Sequence, residues 1–131
     1  MNAYRFEILG APVSMNRVWG YRRDRDRPFL TKEAKAFRSR VQKAARKAGF
    51  DAPLAGDVSL SIDYFHRCPD RHIDCGNVEK ALSDALQGIA YEDDKQVKRL
   101  CVERFPDPNR PRLEVTVAPI EPEQTVLWEN E

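Results

Sequence analysis

The stretch Val58-Ser59-Leu60-Ser61-Ile62-Asp63-Tyr64 alternates apolar and polar side chains residue by residue. A period of two predicts a strand with one buried face. A polar interval follows at 67–76. Beyond it, Val78, Ala81, Leu82, Ala85 and Leu86 fall at helical spacing, and Gly88 follows as a stop. This predicts a helix over about 77–87. Upstream, Thr31 is a suitable N-cap for a helix over about 32–48, with Ala34, Phe37, Val41, Ala44 and Ala48 as its stripe and Gly49 as its end. Ala3 to Leu9 is rich in aromatic and branched residues and reads as a first strand. Downstream, Glu92-Asp93-Asp94 reads as a turn, Val97 to Phe105 as a strand with Cys101 in the core, and Leu113, Val115 and Val117 as a last strand. The order β-α-β-α-β-β predicts an α+β fold: a small mixed or antiparallel sheet with two main helices packed on one face.

The 131 residues suggest one domain, 1–131, ending in an acidic tail from about 119 that also carries Val126-Leu127-Trp128. With 41% hydrophobic and 33% charged residues, the composition is that of a globular chain rather than a disordered one. No apolar run approaches the roughly 18 residues of a membrane span. Met1 to Gly10 shows no basic stretch followed by an apolar one, and there are only three cysteines. Reduced thiols and a cytoplasmic setting are the expectation.

Charge is distributed unevenly. Residues 17–47 contain twelve Lys/Arg and three acids, a net of +9, whereas the other residues contain ten bases and eighteen acids, a net of −8. Few acids interleave with these bases as helical partners, which favours a polyanion-binding surface over a merely solvated face. Nucleic acid is the obvious polyanion, because Lys and Arg gain affinity by releasing its counterions. Residues 10–30, with Gly10, Pro12, Gly20 and Pro28 among many arginines, read as a long loop, and loops of that length are usually functional. Trp19 and Tyr21 within it could stack on unpaired bases or simply pack the loop down.

Asp70, Asp74, Glu79, Asp84, Glu92, Asp93 and Asp94 lie within 25 positions, at the ends of the second predicted helix and in its flanking loops. Hard divalent cations prefer such carboxylate oxygens. A metal held there could activate water and neutralise a scissile phosphate. Each acid alone also has an ordinary explanation: Asp70 in a turn after Pro69, Asp74 as an N-cap. Lys80 could pair with Asp84 on the helix face or steady a phosphate near a metal. Zinc is set aside, since His66, Cys68, His72 and Cys75 crowd ten residues instead of forming two separated ligand pairs.

The segment from Pro69 to Leu86, followed by Tyr91 to Val97, resembles the RusA family of Holliday-junction resolvases. The shared pattern is an acidic D-x-D-N, a lysine three residues on, a D-A-L and a D-D-x-Q-V. Gly10 to Arg17 is similar to the family's loop after the first strand. The resemblance implies a homodimeric α+β endonuclease that binds four-way DNA junctions, uses Mg²⁺ or Mn²⁺, and nicks two opposing strands symmetrically. It implies neither a membrane nor a small-molecule substrate, and a bacterial or phage-infected cell. By position, Asp74, Lys80 and Asp94 match catalytic residues, with Asp74 and Asp94 as metal ligands and Asp70 and Asp93 as further candidates. Asn77 and Asp84 match supporting positions. Asn16, Arg17, Arg22, Arg23, Arg25, Arg27, Lys35, Arg38 and Arg71 are the expected DNA-facing residues. One position departs: Gly76 stands where the pattern has its second aspartate. Asp70, Glu79 or Asp93 could replace that ligand, the enzyme could be weak, or the chain could be a DNA-binding dimer that does not cut.

Overall fold

The computed structural model describes residues 3–10, 12, 19–20, 29–67 and 75–121. The sheet has four strands, β1 (Tyr4–Leu9), β4 (Val58–His66), β5 (Val97–Pro106) and β6 (Arg112–Pro119), in the order β1-β6-β4-β5. β6 is antiparallel to both β1 and β4, whereas β5 runs parallel to β4. The mixed character follows from the chain path. Helix α2 (Cys75–Leu86) crosses over between β4 and β5, and a crossover brings the chain back parallel.

Helix α1 (Lys32–Lys47) starts at Thr31, whose Oγ1 accepts from the Ala34 amide at 3.3 Å. Past its C-cap at Ala48, Gly49 takes φ +114°, a left-handed conformation natural to glycine. Its buried stripe is Ala34, Phe37, Val41 and Ala45. The sequence spacing favoured Ala44 and Ala48 instead. Both are only half-buried, because a 3-4-4 spacing keeps the stripe centred on the sheet. α2 starts two residues earlier than its apolar spacing indicates. Cys75 and Gly76 precede the first buried position, Val78, and so leave no periodic signal. Both helices share one core with the sheet: Phe37, Val41, Val78 and Leu82 pack with Leu60, Ile62, Leu113 and Val115.

Two sequence readings are corrected. The stretch 10–30 is not all loop, since β2 (Trp19–Gly20) and β3 (Phe29–Leu30) form a two-residue antiparallel ladder too short to leave a periodic pattern. Cys101 is exposed rather than in the core. β5 is an edge strand, and Leu100 and Phe105 are exposed with it.

The sheet face turned away from the helices has an unusual register. Glu7 stands opposite Glu114, Glu114 opposite Asp63, and Asp63 opposite Glu103, giving one row of acids across all four strands. Arg110 pairs with Glu7, and Arg112 holds Glu114 at 2.7 Å and Asp107 at 2.8 Å while lying 3.8 Å over the Phe65 ring. The compensation is weaker at Asp63. Burial, and then Glu103 and Glu114, push the Asp63 carboxyl above its ordinary value. A carboxyl raised by folding favours the native state less as pH rises through its folded pKa. Asp63→Asn is therefore expected to stabilise the fold near neutral pH by about 0.2–1 kcal/mol, towards the low end because solvent screens the row. Denaturant melts should show that gain disappearing below the ordinary carboxylate value of 3.8.

Candidate active site

Among the described residues, Glu79 and Asp84 of α2 and Asp94 of the turn leading into β5 share one electrostatic neighbourhood. α2 carries Asn77, Glu79, Lys80, Ser83 and Asp84. The turn carries Tyr91, Glu92, Asp93 and Asp94, and Asp94–Gln96 form one 3-10 turn. Tyr91 joins the two elements. It is fully buried, and its phenol donates to the Ser83 carbonyl at 3.1 Å. The Ser83 hydroxyl lies 2.9 Å from the same phenol oxygen. With the phenol's one proton committed to the carbonyl, the serine hydroxyl is the donor in this second bond. Burial pushes the Tyr91 phenol up to about 12; the Ser83 bond opposes this, and Asp94, Glu79 and Asp84 add to it. Tyr91 is thus a neutral strut whose surroundings include three carboxylates.

Gln96 fixes the turn from the other side. Its Oε1 accepts from the amides of Glu92 at 2.9 Å and Asp93 at 3.1 Å. Its Nε2 donates to the carbonyls of Leu54 and Gly56, both at 2.8 Å. All four contacts suit the amide's two donors and one two-lone-pair acceptor. They pin the acidic turn to the segment that enters β4. Asp93 caps the 3-10 turn, with Oδ1 accepting from the Lys95 amide at 2.9 Å. That amide is the main cause holding the Asp93 carboxyl below its ordinary range.

Glu79, half-buried on α2, shares this environment. Burial raises its carboxyl above the usual value, Lys80 opposes the rise, and Asp84 and Asp94 add to it. Lys80 is exposed, and Asn77 and Asp84 are half-buried. Among the described residues, no three His, Cys, Asp or Glu side chains converge closely enough to hold a metal ion. The donor chemistry nevertheless fits a hard cation, since every acid here offers carboxylate oxygens. Asp70, Arg71 and Asp74 lie outside the described residues, as do Asn16, Arg17, Arg22, Arg23, Arg25 and Arg27. Lys35 is exposed and Arg38 half-buried on α1, which packs on the same side of the sheet as α2. A shallow depression of about 580 Å³ lies over Arg5, Glu7, Asp63, Glu114 and Thr116 on the opposite face, away from this site.

The family model for endodeoxyribonuclease RusA matches residues 10–118. The chain belongs to the RusA family. That match spans β2 through most of β6, including both helices and the acidic turn. A search of curated proteins found no match. RusA-family proteins are endodeoxyribonucleases that act on Holliday junctions, and they are typically dependent on a divalent metal.

Sequence reasoning did not find the strut or the pin. Ser83 is the one polar residue among the buried positions of α2 and so needs a partner, but that burial leaves no mark in the apolar spacing. Gln96→Leu removes all four contacts while keeping similar bulk. It is expected to lower stability by about 1–3 kcal/mol in thermal or denaturant melts, and to reduce any nuclease activity further than melting accounts for.

Proposed function

We propose that this chain is a metal-dependent, structure-selective endonuclease that binds four-way DNA junctions and resolves them by paired symmetric nicks, acting as a homodimer of a single 1–131 domain. The observation that carries this reading is the locked turn. Tyr91 and Gln96 hold Asp94 beside α2, which bears Lys80, in a chain of the RusA family. Asp74 and Asp94 are the proposed metal-holding residues. A bound Mg²⁺ or Mn²⁺ would supply an activated water and neutralise charge on the scissile phosphate. Asp94 presents its oxygens from a backbone fixed on both sides. Lys80 places an ammonium beside the acids, where it offsets charge on the phosphate or the departing oxyanion. Asn77 and Asp84 support that arrangement. Lys35 and Arg38, together with Asn16, Arg17, Arg22, Arg23, Arg25, Arg27 and Arg71, contact the DNA backbone. The substrate places the work in the cytoplasm of a bacterial or phage-infected cell.

A second reading is favoured by Gly76, a position without a donor at the start of α2. On that reading the chain binds junctions as a dimer and does not cut.

A labelled synthetic four-way junction, with linear duplex as control, separates the two in Mg²⁺ and then Mn²⁺. The nuclease reading expects nicks in two opposing strands. Asp94→Asn should lower the cutting rate at least about 100-fold while junction affinity is kept. Junction binding without a nick in either metal, converted to cutting by Gly76→Asp, would establish the second reading instead. In the same binding assay, Lys35→Ala should weaken junction and duplex alike and lower the slope of log K against log salt by about one.

A further inference from the structure

We infer that residues 122–131, which follow the described part of the chain, dock on the β5 edge of their own molecule, with Val126-Leu127-Trp128 lying as an outer strand beside Val97–Val102. The inference stands apart from the nuclease reading.

The edge presents apolar surface without cover. Among the described residues β5 pairs with β4 alone, so its outer side carries backbone groups with no strand beside them. Leu60 and Leu100 are register partners in parallel strands and share the helix-side face, yet Leu60 is 1% exposed and Leu100 49%. The helical layer therefore ends one strand short of the sheet. Edges of this kind invite pairing with another strand unless something blocks them.

The path of the chain brings residues 122–131 to that edge. Pro119 lies opposite Val58, and Val58 opposite Val97, so β6 ends on the line where β4 and β5 begin. Ile120 is anchored there, its amide donating to the Asp57 carbonyl at 2.9 Å. From the lane of β6 to the lane outside β5 is three strand spacings, about 14 Å. Residues 121–125, when extended, span about 17 Å. Val126 accordingly arrives beside Val97, and the residues after it run parallel to β5. Trp128 then comes level with Arg99 and Leu100, where an aromatic ring covers the exposed edge.

Charge selects this occupant. Val97–Val102 carries Lys98 and Arg99, both exposed, and no acid. Residues 121–131 carry Glu121, Glu123, Glu129 and Glu131 and no base. A β5 strand from a second copy would set like charge against like at this edge, whereas residues 122–131 bring the opposite sign.

The test follows Trp128 by fluorescence in the full chain carrying Trp19→Phe, which leaves one tryptophan to report. Docking expects a blue-shifted emission and slow quenching by acrylamide. Leu100→Asp should move both to the values of free N-acetyltryptophanamide while the circular dichroism stays unchanged. Should either variant fail to fold, amide hydrogen exchange supplies the second measure. A chain ending at Glu121 should exchange the amides of Val97–Val102 faster than the full chain does, with those of β4 keeping their rate. Emission of a water-exposed Trp128 in the folded full chain overturns the inference. So does burial of Trp128 that Leu100→Asp leaves intact, and so does β5 exchange that the truncation leaves unaltered. Protection that disappears on dilution, together with a dimer, assigns the edge to a second copy and overturns docking within one molecule.

Discussion

The hydrogen bonds between the Tyr91 phenol and Ser83 tie helix α2 to the acidic turn that follows it. A tyrosine with no exposed surface would be a liability without a partner for its hydroxyl, because an unsatisfied buried polar group costs about 1–3 kcal/mol. Here the partner is a serine on α2, so satisfying the phenol also fixes the distance between α2 and the turn after it. The turn cannot drift along the helix without breaking a buried bond. Gln96 adds the second restraint, from the turn to the segment before β4. Strand β4, helix α2 and the acidic turn thus behave as one rigid frame. A catalytic carboxylate needs such a frame, because small misplacements cost large factors in rate.

The same frame sorts charge between the two sides of the sheet. Both helices cover one face, and the exposed lysines of α1 lie on that side. The opposite face carries the row Glu7, Glu114, Asp63 and Glu103. A phosphodiester backbone would be repelled there and attracted to the helical side. The acidic row is tolerated because two of its four members, Glu7 and Glu114, are paired with Arg110 and Arg112.

How much the sequence revealed depends on the range of each interaction. Helix α1 was legible because its cap, stripe and terminal glycine are all local, and strand β4 because alternation is local too. The placement of Lys80 in a helix and of Asp94 in a turn was legible from spacing. Strand order was not legible. β6 inserts between β1 and β4 and pushes β5 to the edge, so Cys101, apolar enough for a core, ends up exposed. The acid row needs three strand registers at once before it exists. Tyr91 reaches back eight residues to Ser83, and Gln96 reaches back about forty to Leu54 and Gly56. The partners of Gln96 fall outside any window of ordinary helix or strand length, and Ser83 and Tyr91 lie on opposite sides of the Gly88 stop, so no single periodic pattern holds both.

Gly76 raises the question of what the site lacks. Glu79, Asp84 and Asp94 against Lys80 leave a net of −2 when all are ionised, before Asp74 is added. That is already the charge one divalent ion balances. A glycine at position 76 therefore does not leave the site short of negative charge; it leaves one location short of an oxygen. A location can be refilled by a neighbouring side chain of sufficient length, whereas a charge deficit could not.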